Sequence, residues 1–231
     1  MKNALVLFSG GIDSTTSLYW ARDRFERVSL LTFDYGQRHR VELRSAGELA
    51  RRLGLSQKIL SVDLTQIGGS ALTDANIRLP EFKRVEEIDD GLPPTYVPFR
   101  NGIFLALAAA WAEVIEARDL ICGFNIIDSP NYPDTRPSFI AAMEEAVNAG
   151  TRAAFEKGGF TIHAPFVDMT KSEIIEAGLA LGADYSFSIS CYAGGEVPCG
   201  RCSACLLRHG AWQEVREEDH LIKRLKKEGR I

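Results

Sequence analysis

The chain has 231 residues, 45% of them hydrophobic and 25% charged, with 27 basic against 31 acidic side chains and a net charge of −4. This is ordinary globular composition, long enough for a buried core. No run approaches the roughly 18 apolar residues of a membrane-spanning helix, and the apolar start Ala4–Phe8 is too short for a signal-peptide core, so a cytoplasmic protein is expected, and the acidic balance argues against a polynucleotide substrate, which wants a broad basic face.

Asn3–Ser9 reads as a buried strand. Asp13 to about Arg24 has helical spacing, with Leu18, Ala21 and Phe25 on one side. Val28–Asp34 is a second buried strand. Over Val41–Leu53 the residues Leu43, Ala46, Leu49, Ala50 and Leu53 follow the 3.6 period, and Gly54 caps the helix. Lys58–Leu64 reads as a third strand. That order predicts a parallel sheet with helices on both faces. Residues 65–97 break the pattern with Gly68-Gly69, Pro80 and the acidic run Glu86, Glu87, Asp89 and Asp90; so long an irregular stretch is functional or mobile. Pro98 opens an alanine-rich helix to about Ala117. Then follow a strand over Asp119–Phe124, a polar loop over Asn125–Pro137, a helix to about Glu156, a strand over Phe160–Ala164 and a helix over Lys171–Leu181. A cysteine segment and one charged helix complete an α/β chain, read as a parallel-sheet domain over residues 1–185 with a small extension over 186–231 packed on it.

The turn Ser9-Gly10-Gly11-Ile12-Asp13-Ser14 sits between the first strand and the first helix. Open α/β sheets bind ligands at that edge. Two glycines let backbone approach an anion, and the helix start supplies unpaired N–H groups and a positive dipole end. Ser9, Ser14 and Thr15 add hydroxyls, and the Gly-Lys-Ser/Thr end of a Walker loop is missing. The plainer reading is a glycine turn with a serine cap. The full string, however, resembles the SGGxDS signature of the PP-loop ATP-pyrophosphatases, which cleave ATP between its α and β phosphates and seat pyrophosphate in this loop. The resemblance implies an adenine-nucleotide α-hydrolase-like fold. It also implies a nucleotide site through Phe8, Ser9, Gly10, Gly11, Ile12, Asp13, Ser14, Thr15, Thr16, Ser17 and Leu18. Asp13 by itself would repel phosphate, so a Mg²⁺ ion is expected between the two. Asp34 ends the second strand, where such sheets meet the ribose or base.

Two cations fall where a helix dipole disfavours them. Thr170-Lys171-Ser172-Glu173 fits a capping box and puts Lys171 in a first helical turn; Pro98-Phe99-Arg100-Asn101 does the same for Arg100. Each reads as a solvated surface cation or as a contact to bound phosphate, and the PP-loop resemblance favours phosphate. Ser9, Asp13, Ser14, Arg100 and Lys171 are thus the candidate catalytic residues.

Cysteines stand at 122, 191, 199, 202 and 205. The spacing Cys191-x7-Cys199-x2-Cys202-x2-Cys205 offers four thiolates in one segment, with Gly200 for the turn. Four thiolates suit a closed tetrahedral structural Zn²⁺ site. The rival is an iron–sulfur cluster, but the fourth ferredoxin-type ligand with its following proline is missing downstream. Cys122 reads as a buried core residue.

Further strings extend the resemblance to about residue 208: Phe33-Asp34-Tyr35-Gly36-Gln37-Arg38-His39, Tyr96-Val97-Pro98-Phe99-Arg100-Asn101, Tyr132-Pro133-Asp134-x-Arg136 and the cysteine segment. Together these resemble the 7-cyano-7-deazaguanine synthase family, the queuosine-precursor branch of the PP-loop enzymes. The resemblance implies a carbon–nitrogen ligase. It would adenylate 7-carboxy-7-deazaguanine, convert the adenylate to an amide, and use a second ATP to reach the nitrile, releasing AMP and pyrophosphate. With no glutaminase module in view, free ammonia is the expected nitrogen source. A homodimer is implied as well. In the 125–136 loop, Asp128 or Asp134 could accept from the guanine-like N–H edge, Tyr132 could stack on the ring and Arg136 could pair with the carboxylate. Asp134 with Pro137 also reads as a helix start. His39 is either a proton carrier or a structural histidine. The alternatives are a PP-loop tRNA-modifying enzyme, by thiolation or lysidine formation, and a non-catalytic zinc-bearing nucleotide sensor.

Overall fold

Side-chain alternation along the first strand sets the layers. In β1 (Asn3–Leu7) Ala4 and Val6 point to one face and Leu5 to the other, as the period of two requires. Ala4 and Val6 pack with Leu18 and Ala21 of α1 (Ile12–Arg24) and with Ala46, Leu49 and Ala50 of α2 (Val41–Arg52). Leu5 packs with Leu105, Ala108 and Ala112 of α3 (Arg100–Val114) and with Ile140 and Val147 of α4 (Pro137–Gly150). The strand is therefore covered on both sides, which is the condition of a parallel sheet. This computed structural model describes residues 2–88, 91–127 and 131–231; Asp89 and Asp90 of the acidic run and the candidate substrate residue Asp128 lie outside the described residues.

The remaining strands are β2 (Arg27–Asp34), β3 (Ser56–Ser61), β4 (Asp119–Ile121) and β5 (Thr161–His163). They form one sheet in the order β3-β2-β1-β4-β5 with every pairing parallel. The chain winds outward from β1 in both directions, so the crevice between the carboxyl ends of β1 and β4 is the switch point where such sheets bind ligands.

A third core cluster joins Ile12 and Tyr19 of α1 to Ile174 and Ile175 of α6 (Lys171–Ala180) and to Ala211 and Trp212 of α7 (Ser203–Val215). Its pin is Tyr185, fully buried, whose hydroxyl lies 2.6 Å from Thr16 Oγ1. A Cβ on Gly178 would overlap that hydroxyl. Buried Arg208 of α7 reaches Ser188 O at 3.0 Å and makes a two-pronged bond to Asp219 at 2.6 and 2.7 Å, next to α8 (His220–Lys227). Residues on either side of the 185/186 boundary thus share one apolar cluster.

Several predicted bounds shift for local reasons. The third strand runs over Ser56–Ser61 rather than to Leu64, because Asp63 turns the chain by accepting from Thr65 N. The alanine-rich helix starts at Arg100, since Phe99 before it has a left-handed backbone (φ +51). The helix expected to run to Glu156 breaks at Thr151 (φ −113, ψ 146) into α4 and a short α5 (Arg152–Lys157). Two helices, α7 and α8, stand where one C-terminal helix is predicted. Among the described residues no helix is long and apolar enough to cross a membrane.

Candidate active site and metal centre

A cavity of about 300 Å³ opens at the switch point. Its wall takes Phe8, Ser9, Gly11, Ile12, Asp13 and Ser14 from the turn after β1, Phe33 and Tyr35 from the end of β2, and Cys122 to Asn125 from the end of β4. Arg100 and Lys171 enter from the first residues of α3 and α6, and Tyr132 from the loop before α4. The segment carrying the cysteines closes the remaining side with Ser190, Tyr192, Ala204, Leu207 and Arg208.

The turn is shaped for an anion. Gly10 has φ +82, in the left-handed region that favours glycine. A Cβ there would also press to 3.1 Å from the Ala46 nitrogen of α2. Ser14 Oγ accepts from Gly10 N at 3.1 Å and donates to Gly11 O at 3.1 Å, while Ser9 Oγ accepts from Gly11 N at 3.3 Å. Gly11 caps α1 with no side chain over the helix end. The N-terminal dipole of α1 therefore faces the cavity with no side-chain cap competing for it. Thr15, Thr16, Ser17 and Leu18 lie behind this surface, buried in the packing of α1, and do not line the cavity.

Lys171 Nζ reaches across 158 positions of sequence to bond both oxygens of Asp13, at 2.6 and 2.7 Å. Thr170 and Glu173 form the reciprocal capping box the sequence indicates, which fixes where this lysine emerges. Arg100 is set between Tyr35 and Phe104, its guanidinium carbon 5.9 Å from each ring centroid. It donates to Asn101 Oδ1, whose own backbone N–H is held by Asp134 Oδ2 at 3.0 Å. Asp134 is thus buried at the head of α3, its Oδ1 without a partner among the described residues, and it does not line the cavity. Exposed Arg136 does not line it either. Nor does Asp34, which is paired with Arg40 at 2.5 Å. Tyr132 does line it, its hydroxyl 3.0 Å from Thr95 Oγ1.

Sequence reasoning passed over two residues here. Gly123 follows β4, and a Cβ on it would lie 2.8 Å from the carbonyl carbon of Asp13 and from Ser14 N; only glycine lets β4 pass so near the turn. A glycine inside the predicted strand Asp119–Phe124 was the available signal. The second is Glu42, half-buried in the cavity wall one helical turn before Ala46. Its carboxylate accepts from Gln37 Nε2 at 2.9 Å and lies 3.4 Å from His39 Nε2. Burial pushes its pKa up to about 7, against the bond from Gln37 and the charge of Arg100. Burial, then Arg100, lowers the His39 pKa to about 4, so that ring is neutral at pH 7. On its charged helical segment Glu42 looks like a solvated residue, and nothing local marks it.

The four sulfurs of Cys191, Cys199, Cys202 and Cys205 lie within 4.8 Å of one another. Zinc–sulfur bonds of about 2.3 Å in a tetrahedron put sulfurs roughly 3.8 Å apart, and Cys199 and Cys205 are at 3.9 Å. Backbone N–H groups of Arg201 and Cys202 both point at the Cys199 sulfur, as around a thiolate. The donor set fits a closed zinc site. This knuckle touches the Ser9–Ser14 turn, where Ile189 N donates to Gly10 O at 3.1 Å, and it also abuts the segment between β2 and α2, where a Cβ on Gly194 would strike Arg38 O at 2.7 Å. Cys122 is buried at the cavity floor, donating to His163 O, and is separate from the cluster.

A model of the family described as "Queuosine biosynthesis protein QueC" matches residues 3–216. A protein of Pseudomonas putida named 7-cyano-7-deazaguanine synthase is 45% identical over 221 residues, covering 94% of this chain and 96% of that one. One of the same name from Pseudomonas syringae pv. tomato is 46% identical over 210 residues, covering 90% and 91%. Among solved structures, a 4-thiouridine synthetase in complex with RNA and ATP superposes with a TM-score of 0.51 at 21% identity, covering 97% of this chain and 53% of that one. A predicted tRNA methyltransferase subunit from Methanocaldococcus jannaschii gives 0.50 at 17%, covering 78% and 75%. These two likenesses show the fold alone.

Proposed function

The chain belongs to the queuosine biosynthesis protein QueC family, and from that premise we propose that its cavity makes a nitrile from 7-carboxy-7-deazaguanine, ammonia and two molecules of ATP. One observation carries the reading: an anion-binding turn, two cations and a buried aromatic slot converge on a single cavity at the switch point of the sheet.

The β and γ phosphates take the Ser9–Ser14 turn, where α1 supplies N–H groups and Ser9 and Ser14 their hydroxyls. Lys171 and Arg100 face the charge that builds as the α phosphorus is attacked. Asp13, with phosphate oxygens, would hold the Mg²⁺ ion, whose contribution is to neutralise phosphate charge; Lys171 now covers both Asp13 oxygens and would turn to the phosphates. The stacked pair Phe33 and Phe104 (centroids 3.9 Å apart) and Tyr132 offer flat apolar walls for ring systems. The substrate carboxylate attacks the α phosphorus and expels pyrophosphate. Ammonia then displaces AMP from the acyl carbon. A second adenylation on the amide oxygen lets AMP leave again, and loss of the remaining N–H proton yields the nitrile. Holding reactants at attack distance supplies most of the acceleration in such chemistry. Among the described residues of the predicted substrate set, Tyr132 lines the cavity, and Asp134 acts through the head of α3.

The cysteine cluster holds zinc as a brace for the phosphate turn. We read residues 1–185 and 186–231 as one working unit and the protein as cytoplasmic. The outward side of α3 supports a homodimer: from Gly102 to Ala112 it carries no charge, and Phe99 and Val114 are exposed.

The test is incubation with 7-carboxy-7-deazaguanine, ATP, Mg²⁺ and ammonium. AMP, pyrophosphate and a nitrile are expected. ADP as the product, or AMP formed with tRNA but not with the deazapurine acid, would overturn the reading.

A further inference from the structure

We propose that the Glu42 carboxylate receives the nitrogen substrate, holding an ammonium ion and taking its proton before attack on the acyl adenylate; this deepens the function proposed above and rests on it.

The position is the first ground. Glu42 and Ala46 lie one turn apart on the same face of α2, and it is Ala46 that abuts Gly10. The carboxylate therefore hangs in the cavity one helical turn from the phosphate turn. A bare carboxylate beside bound triphosphate is repelled unless a cation stands between them.

Its surroundings are the second ground. The Glu42 side chain is 13% exposed, and among the described residues no lysine or arginine bonds it. Its partners are the Gln37 amide, at one oxygen, and the His39 ring, 3.4 Å from the other. Arg100 acts on this half-buried carboxylate without bonding it, so a cation in direct contact still gains from the pairing. His39, Tyr35 and Tyr192 line the same cavity as the carboxylate. Tyr35 Oη lies 3.4 Å from the same His39 nitrogen, and the Tyr35 and Tyr192 rings stand edge-on to the imidazole at 6.3 and 5.6 Å. A carboxylate with an imidazole and a phenol oxygen in the same wall suits an ion with four N–H donors and one positive charge. A divalent metal would need several oxygen ligands, and among the described residues the clustered ligand set is the cysteines, not Glu42.

The step balances. Ammonium gives one proton to Glu42 and becomes ammonia. The nitrogen lone pair forms the C–N bond, and the electrons of the acyl C–O bond leave with AMP. The second proton is shed from nitrogen to solvent as the adduct collapses. Glu42, then protonated, returns its proton to solvent and takes the next ion.

The experiment is steady-state kinetics of Glu42→Gln and Glu42→Asp, with each substrate varied in turn. The KM for ammonium should rise by about tenfold or more, the worth of one charge-assisted hydrogen bond. The KM values for ATP and the deazapurine acid should stay within about twofold. Hydroxylamine, a neutral nucleophile at neutral pH, should capture the acyl adenylate in Glu42→Gln as it does in the parent. An unchanged ammonium KM overturns the proposal, as does a rise that falls on the deazapurine acid, which would make Glu42 a ring-binding residue. If Glu42→Gln does not fold, Glu42→Asp carries the same comparison. Failure of the underlying function reads differently: the parent protein would then release no acid-dependent pyrophosphate at all.

Discussion

Replacing Gly123 by alanine adds one methyl group where β4 leaves the sheet, and the added carbon would sit 2.8 Å from the carbonyl carbon of Asp13 and 2.8 Å from Ser14 N. Non-bonded carbons settle at about 3.5–4.0 Å, so one backbone must withdraw by roughly 0.7 Å or more. Both neighbours are main chain, and no side chain can rotate away. Overpacking of this kind costs about 1–3 kcal/mol. For a chain of this size each kcal/mol lowers Tm by about 2–4 °C, for a total of about 2–12 °C. The larger effect falls on catalysis, because the displaced atoms belong to the phosphate turn, and a shift near 1 Å costs about 100-fold in rate. Gly54→Ala is the control: Gly54 has φ +64 and no atom within 4 Å of its Cβ position, so it suffers backbone strain of about 1–2 kcal/mol far from the cavity. Calorimetric Tm and acid-dependent pyrophosphate release are measured on both variants. Similar thermal losses with a rate loss confined to Gly123→Ala are expected. Parent-level turnover in Gly123→Ala, or equal rate losses in the two, would refute the claim that the β4 crossing sets the turn.

The other outcomes separate stability from function. Lys171→Met should lower kcat/KM by about 100-fold or more, as loss of a charge-stabilising donor does, and cost about 1–3 kcal/mol of stability, since Asp13, 25% exposed, loses both its bonds to a lysine that is itself 16% exposed; a full loss of folding would show the ion pair to be structural instead. Metal analysis should find one zinc per chain at the four-cysteine cluster, and Cys202→Ser should lose both zinc and thermal stability while the parent shows no visible absorption band; iron with a brown colour would replace the zinc assignment. Stability should also carry the signature of Glu42. Its folded pKa, about 7, is raised above the unfolded value of 4.5, so its contribution is intact below pH 4.5 and is lost as pH rises to 7. Glu42→Gln removes that loss, so its Tm should gain on the parent progressively between those limits and then level off; a constant difference across the range would mean that the carboxyl is not perturbed.

The local motifs were legible because their physics is local. The apolar run Ala4, Leu5 and Val6 shows a strand covered on both faces, and the glycines and serines that follow it mark a tight turn into a helix. Four cysteines within one segment have little choice but to meet. The capping box placed Lys171 on the first turn of its helix without reference to anything outside four residues. Arg100 was placed likewise, although the start of its helix depends on the left-handed Phe99 that the sequence did not reveal.

Other assignments turned on who meets whom. Asp34 and Arg136 are polar residues in apt places along the chain, yet neither lines the cavity: Asp34 is held by Arg40, and Arg136 is exposed. Asp134 had two readings, and burial beneath Asn101 puts it at the head of a helix other than the one it precedes. By itself the sequence determined the parallel α/β architecture, the glycine–serine turn after β1 and the meeting of the four cysteines, because periodicity, glycine placement and close spacing act over a few residues. Only the tertiary structure decided that Lys171 covers Asp13, that Gly123 must stay small and that Glu42 faces the cavity. Those facts arise from packing between segments far apart in the chain, where the energy of a contact leaves no mark on the residues beside it.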